Sequence, residues 1–245
     1  MLGFDLAHAR FESQKDPQHM TKCLYNSVQL LIFVALCSIS AMGQAHQPTA
    51  PAPPANLSPQ SFDLGQLDGV DYANNFFRLS LSIPREWVVA TAQRRVELDQ
   101  QVKKMVTAED QKQLTKVEES IERSTTLLRI TKLPDGQPNN AQFVLIAERL
   151  GSPSMKTGLH VIEAMREVMK GTNFKVEFIG EVLTETLSAT QFGVTTVKVT
   201  SPVGEYSQRI YVTVKGDYAL EMFFTYLNDS DLPSFAGIMQ SVKFK

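Results

Sequence analysis

The strongest constraint on the fold of this chain is a pair of alternating segments in its last third. In both segments apolar side chains occupy every second position, at Ile210, Val212 and Val214 in the first and at Tyr218, Leu220, Met222, Phe224 and Tyr226 in the second. A period of two places alternate side chains on one face of a strand. The tripeptide Lys215-Gly216-Asp217 between the segments is typical of a hairpin turn. The chain is therefore predicted to build an antiparallel sheet.

Further strands extend this prediction to a whole domain. Residues 77–83 alternate between apolar and polar side chains and stop at Pro84, which cannot donate to a strand ladder. We expect Trp87 to pack against the sheet near the end of this first strand. Other predicted strands lie at 127–132, 143–147, 174–178 and 197–199. Strands in runs with few helices between them favour an α+β fold, with a mainly antiparallel sheet of about 6–8 strands flanked by helices.

A polar segment at 93–123 is predicted to form a helical insertion after the first strand. Its apolar residues recur at spacings of three and four, which is typical of an amphipathic helix; they are Leu98, Val102, Met105, Leu114, Val117 and Ile121. The stripe lapses after Val106, and residues 107–110 resemble a capping box. Two helices, or one bent helix with its break near Thr107, fit this pattern. The apolar stripe fits either a cover for one sheet face or a partner surface.

Two more helices are predicted further along the chain. The first ends near Gly171, a typical C-cap residue, and the second starts near 229–231 with Pro233 in its first turn. Residues 241–244 then close the chain. The expected buried faces consist of Leu159, Ile162, Met165 and Met169 in the first helix and Leu232, Phe235, Ile238 and Met239 in the second.

The N-terminal part of the chain resembles a secretory signal peptide. Lys22 precedes an apolar run at 30–36, and small residues follow up to Ala45. We predict a signal at 1–45, cleaved after Ala45 or Gly43. Met20 is the expected true start, and a long n-region that begins at Met1 is the alternative. The stretch 28–42 is 15 residues long, whereas a membrane-spanning helix needs about 20 mostly apolar residues. An uncleaved signal acting as an N-terminal membrane anchor is the alternative, and no stable membrane span is expected after cleavage.

Behind the signal we predict a proline-rich linker at 46–60 and a single domain at 61–245. The linker holds five of the 12 prolines of the chain and no core-forming cluster. Cys23 and Cys37 both lie within the signal, so the exported chain would contain no disulfide. The predicted location is periplasmic or extracellular, with stability supplied by packing.

Composition argues against several classes of function. Lys and Arg number 24 against 26 Asp and Glu, with a net charge of −2, so no nucleic-acid partner is expected. After signal removal, His46 and His160 are the remaining histidines, and no Gly-x-Ser-x-Gly motif is present. We therefore predict no metal site, no cofactor and no catalytic residue. His160, beside an apolar helix stripe, is expected to be a boundary residue.

Carboxylates and basic pairs have simple structural interpretations. Glu177, Glu181 and Glu185 could serve a hydrolase, but strand alternation places such residues on solvated faces. Asp229 and Asp231 have the spacing that begins a calcium loop, but the glycine and final glutamate of that loop are missing, so helix capping explains them better. The local basic pairs, Arg94-Arg95 and Lys103-Lys104, are interleaved with acids as on a solvated helix face.

The two ends of the domain resemble PsbP-like domains. At 72–87 an aromatic strand ends in a proline followed shortly by tryptophan, and at 216–224 and 241–244 a strand, a helix and Ser-Val-Lys-Phe close the chain. The insertion at 93–123 is longer than that family implies. The resemblance implies a non-enzymatic binding or assembly module.

The sequence thus predicts an exported, non-catalytic binding or assembly domain whose partner is a protein or a small ligand. The alternative is an exported hydrolase that uses paired carboxylates. Two inward-facing carboxylates meeting in one concave pocket would favour the enzyme. A sheet whose faces are closed by helices, without such a pair, would favour the binding module.

Overall fold

The computed structural model describes residues 63–105, 111–135, 137, 139–169, 174–201 and 204–245. The predicted signal and linker, the break near Thr107 and the C-cap at Gly171 lie outside the described residues. So do the side chains of Lys103, Lys104, Met105 and Val117. None of the described helices is long and apolar enough to cross a membrane.

Eleven strands and four α-helices make up the described part of the chain. The strands are β1 (Gln66–Asp68), β2 (Asp71–Asn74), β3 (Leu79–Ser82), β4 (Val88–Val89), β5 (Ser124–Thr131), β6 (Gln142–Arg149), β7 (Lys175–Leu187), β8 (Thr190–Ser201), β9 (Gly204–Lys215), β10 (Tyr218–Tyr226) and β11 (Lys243–Phe244). The helices are α1 (Ala92–Met105), α2 (Gln111–Arg123), α3 (Gly158–Met169) and α4 (Leu232–Ser241), with a 3₁₀ turn at Asp229–Asp231 before α4.

The predicted antiparallel sheet is confirmed and has seven strands, in the order β4-β5-β6-β10-β9-β8-β7. The predicted hairpin joins β9 to β10, and Tyr218 pairs with Lys215 across its turn. Gly216 adopts a positive φ of 59° there, a conformation that glycine enters at little cost. The α+β class is therefore as expected.

A second, four-stranded sheet, β1-β2-β3-β11, closes one face of the large sheet. Residues 77, 79, 81 and 83 are all buried in the core on that face, as the alternation predicts. Trp87 is 5% exposed, and its ring packs edge-on against Phe235 of α4 at 5.8 Å between centroids. Hence Trp87 lies in the core, as predicted, and α4 supplies its nearest aromatic neighbour.

Helices close the opposite face of the large sheet. Val102 of α1 and Ile162, Met165 and Met169 of α3 are buried there, together with strand residues such as Val212. The insertion at 93–123 contains two separate helices and follows β4, a two-residue strand that sequence patterning missed. Val102 and Leu114 of its apolar stripe pack against the sheet core, which supports the first of the two roles expected for the stripe.

Candidate functional site

A polar groove lies at one end of the seven-stranded sheet. Three segments form it: the loop from β6 to α3, the β9–β10 turn, and the ends of β7 and β8. The loop is tied to the turn, since the Leu150 N–H donates to the Asp217 carbonyl at 2.8 Å. Two adjoining cavities of about 230 and 560 Å³ make up the groove, and both are lined by Lys156 and Val214.

Three cationic side chains line this end groove. Lys156 lies between the two cavities, Lys215 lines the smaller one and Arg149 the larger one. In the part of the chain that the structure describes, none of the three forms an ion pair. Asp217 is the one acidic side chain among the described lining residues. The groove therefore carries an excess of positive charge.

Lys215 is held in place by neutral contacts. Its Nζ donates to Thr190 Oγ1 at 3.1 Å and lies 4.3 Å from the centroid of the Phe244 ring. Burial lowers the pKa of Lys215, because a partly desolvated ammonium has lost some of its hydration. An anionic ligand would stabilise the ammonium group in place of the lost water, so Lys215 is suited to anion binding.

The start of α3 forms one wall of the groove. Thr157 Oγ1 accepts the N–H of His160 at 3.3 Å, and His160 Nδ1 accepts the N–H of Lys156 at 3.4 Å. Thr157 thus caps α3 as in the first half of a capping box. The His160 ring accepts from Lys156, the residue before the cap, and not from the N–H of Thr157. The exposed side chain of His160 thus ties the start of α3 to the loop before it, which agrees with the boundary role expected from the sequence.

A second polar cluster lies in the core, away from the groove. Glu148 of β6 and Glu221 of β10 are 1% and 0% exposed. Glu148 pairs with Ala219 and Glu221 with Ile146, so the two carboxyl groups are diagonal neighbours on one sheet face, within reach of each other. This carboxyl pair lies on the face that α2 covers.

Helix α2 supplies the polar partners of the carboxyl pair. Ser120 Oγ donates to Glu148 Oε1 at 2.8 Å, and Arg123 Nη2 lies 3.8 Å from the same oxygen. Neither oxygen of Glu221 receives a hydrogen bond from a donor in the described residues. Two carboxylates cannot donate to each other, but a proton on either one allows it to donate to the other.

The surroundings shift the pKa of both glutamates upward. Burial raises the pKa of Glu148 to about 7, although Ser120, Arg123 and the contact with Glu221 act in the opposite direction. Burial raises the pKa of Glu221 well above its ordinary value, and the neighbouring charge of Glu148 raises it further. At neutral pH the pair therefore carries at least one proton.

The carboxyl pair meets one half of the criterion for a hydrolase. The two carboxyl groups face inward and meet, but neither glutamate lines the end groove. The acidic residues predicted as candidates are elsewhere. Glu177 and Glu181 are exposed on β7, and Glu185 Oε1 accepts a hydrogen bond from Arg209 Nη2 at 2.8 Å.

The capping role predicted for the aspartates before α4 needs correction. Asp231 occupies the N-cap position, but its side chain makes no capping hydrogen bond. Its Oδ1 instead accepts from Lys132 Nζ at 2.7 Å, because the loop after β5 brings a cation to this buried carboxylate. In the described residues no cluster of three His, Cys, Asp or Glu side chains is placed to hold a metal ion.

Sequence reasoning did not single out the residues of either polar cluster. Lys156 and Lys215 look like ordinary surface lysines until the strands are paired. The sequence did contain a signal for Glu221. On its own face of the strand Glu221 lies between Ala219 and Phe223, and the opposite face of the strand is apolar as well. A glutamate flanked in this way on a strand with two apolar faces indicates a buried acid.

Comparison with known proteins returned matches among solved structures alone. No family model and no curated protein matches the sequence. A Bacteroides thetaiotaomicron VPI-5482 crystal structure matches at 12% identity and a TM-score of 0.39, covering 73% of this chain and 49% of that one. The present chain thus spans about half the length of that protein.

A second match is the solution structure of cyanobacterial PsbP (CyanoP) from Synechocystis sp. PCC 6803. It has 12% identity and a TM-score of 0.44, and covers 74% of this chain and 99% of that one. The structure comparison thus returns a member of the family that the two ends of the domain resemble.

Proposed function

We propose that this chain is an exported, non-catalytic binding domain whose end groove takes a small anionic ligand with carboxylate or phosphate groups. The observation that supports the proposal is the convergence of Arg149, Lys156 and Lys215 on one groove without an ion-pair partner in the described residues. Five other cations of the described chain do form ion pairs; they are Arg94, Arg123, Lys132, Lys198 and Arg209.

The neutral polar groups of the groove suit the same ligand. Thr157, Thr190 and Gln191 line the smaller cavity beside the two lysines. Hydroxyl and amide groups can donate to the oxygens of a carboxylate or phosphate, and hydrogen bonds to a charged partner are the stronger kind. Because Lys215 is already positioned by Thr190 and Phe244, little side-chain freedom would be lost on binding.

The proposal is tested by titrating the purified protein with inorganic phosphate, citrate and, as a neutral control, glucose, while amide NMR spectra are recorded. Citrate or phosphate should shift the amides of 149–157, 190–193 and 213–217, and glucose should not. Lys156→Gln and Lys215→Gln should each weaken binding about tenfold, the effect of losing one charge-assisted hydrogen bond.

Lys198→Gln is the matched control for these variants. Lys198 is exposed and pairs with Glu205 at 2.7 Å, outside the groove, so its removal should leave anion binding unchanged. Shifts that do not map to the groove, or equal binding by all three lysine variants, would contradict the proposal.

The hydrolase with paired carboxylates remains the alternative. Glu148 and Glu221 are the pair it would use, and α2 would have to move before a substrate could reach them. Glycoside and ester substrates offered to the wild type and to Glu148→Gln would test it. Turnover that disappears in the variant, while the thermal midpoint holds, would favour the enzyme over the binding domain.

A further inference from the structure

We propose that Glu148 and Glu221 share a single proton, and that this proton holds helix α2 against the sheet, so that its loss releases the helix. The carboxyl pair would then act as a protonation-dependent latch on the helical insertion. The latch does not involve the end groove, so it can be tested separately from the proposed binding function.

The described residues offer the carboxyl pair few hydrogen-bond donors. Glu148 receives one hydrogen bond, from Ser120, and has the guanidinium of Arg123 nearby. Glu221 receives no hydrogen bond from the donors in the described residues. A buried, ionised carboxylate without a donor is strongly disfavoured. One proton between the two groups turns two mutually repelling acceptors into a donor and an acceptor.

The surroundings of Glu221 are mostly apolar. The strand neighbours opposite Glu221 are Ile146 of β6 and Val212 of β9, both apolar, and α3 presents buried apolar side chains to this core. Charged groups among the described residues on this side include Arg129 of β5, which donates to Gln142 at 3.5 Å, and Asp99 of α1, which accepts from Thr126 at 3.3 Å. With both glutamates ionised, Arg123 is the one cation with an ion pair to the carboxyl pair in the described residues.

Helix α2 is the element that would move. β6 and β10 are paired along their length, from Tyr218 with Arg149 to Thr225 with Gln142. Helix α2 is held to the carboxyl pair through Ser120 and Arg123, which both contact Glu148. When the shared proton leaves to water, hydration of the two carboxylates competes with these contacts. The displacement of α2 is the smallest change that admits water to the pair.

Hydrogen exchange of the α2 amides in the purified protein, from about pH 5.5 to about pH 8.5, tests the latch. After correction for the intrinsic effect of pH on exchange, protection of 111–123 should fall at least about tenfold in the wild type. In Glu221→Gln the amide donates to Glu148 at every pH, so the protection should no longer depend on pH. Glu163→Gln, a change on the exposed side of α3, should behave as the wild type.

Constant protection in the wild type, or the same loss in Glu221→Gln, would overturn the proposal. If Glu221→Gln does not fold, a carbon-13 titration of the glutamate carboxyl groups in the unmodified chain gives the answer. One carboxyl of the pair should remain protonated at neutral pH. Titration of both near the ordinary glutamate pKa of about 4.3 would also overturn it.

Discussion

Gly158, at the start of α3, lies directly against Gly193 near the start of β8. A Cβ atom added to Gly158 would lie 2.7 Å from the Gly193 nitrogen and would overlap the carbonyl oxygen of Val212. A Cβ added to Gly193 would lie 2.6 Å from the Gly158 carbonyl carbon. The backbones of helix and sheet therefore touch at this point, which sets the position of one wall of the end groove.

Gly158→Ala and Gly193→Ala are each expected to destabilise the fold by roughly 1–3 kcal/mol or more, because backbone atoms cannot move aside as a side chain can. The free energy of unfolding, measured by urea titration with circular dichroism, checks this. Gly237→Ala in α4 is the control, since nothing lies within 4 Å of its added Cβ; alanine should stabilise that helix by roughly 0.5–1 kcal/mol. Equal effects at the three positions would mean that α3 does not touch the sheet in this way.

Trp87→Ala is expected to lower the free energy of unfolding by roughly 3–5 kcal/mol, because the ring is buried against Phe235. Phe76→Ala should cost about 1 kcal/mol, because that ring is 54% exposed and packs on Phe77 and Tyr218 at its edge. Circular dichroism in urea compares the two variants. An unchanged midpoint for Trp87→Ala would place the ring outside the core.

His160→Gln is expected to be tolerated, because the His160 side chain is exposed and a glutamine side-chain oxygen can also accept the N–H of Lys156. Thr157→Ala should cost about 1 kcal/mol, since it removes the hydroxyl that caps α3. Thermal midpoints of both variants check the comparison. A His160→Gln protein that keeps its thermal midpoint but loses a measured activity would instead favour the enzyme hypothesis.

The stability of the protein should decrease as the pH rises from mildly acidic to alkaline. Folding raises the pKa of Glu148 from 4.5 to about 7 and raises that of Glu221 as well. Between the unfolded and folded pKa values the folded chain binds more protons, so stability is greatest below the unfolded value and is lost through the folded one. The free energy of unfolding should fall by about 1 kcal/mol per pH unit. Urea midpoints measured across this range check it, and Glu221→Gln should flatten the profile.

Export with signal cleavage is expected from Lys22, the apolar run at 30–36 and the small residues up to Ala45. N-terminal sequencing of the exported protein should begin at His46 or Gln44. Intact protein in the cytosol, beginning at Met1 or Met20, would contradict export. Intact protein in a membrane fraction would instead support the uncleaved anchor.

Much of the fold could be predicted because the spacing of apolar residues within one strand or helix shows which of its side chains are buried. The β9–β10 hairpin, the buried face of residues 77–83 and the apolar stripe of α3 follow from alternation or helical spacing alone. The four-stranded sheet could not be predicted in this way. Its strands β1 and β2 are three and four residues long, too short for a clear period, and β11 joins β3 from the far end of the chain.

The candidate sites depend on strand order, which local patterns do not contain. Lys156 and Lys215 share a groove because α3 starts on the backbone of β8 and β9 and the β9–β10 turn lies beside it. Glu148 and Glu221 meet because β10 lies between β6 and β9, so two strands distant in sequence become neighbours. Alternation within each segment assigned side chains to faces, since it follows from local backbone geometry. Which charges then lie together was set by long-range pairing, since register and strand order arise from the burial of the whole core.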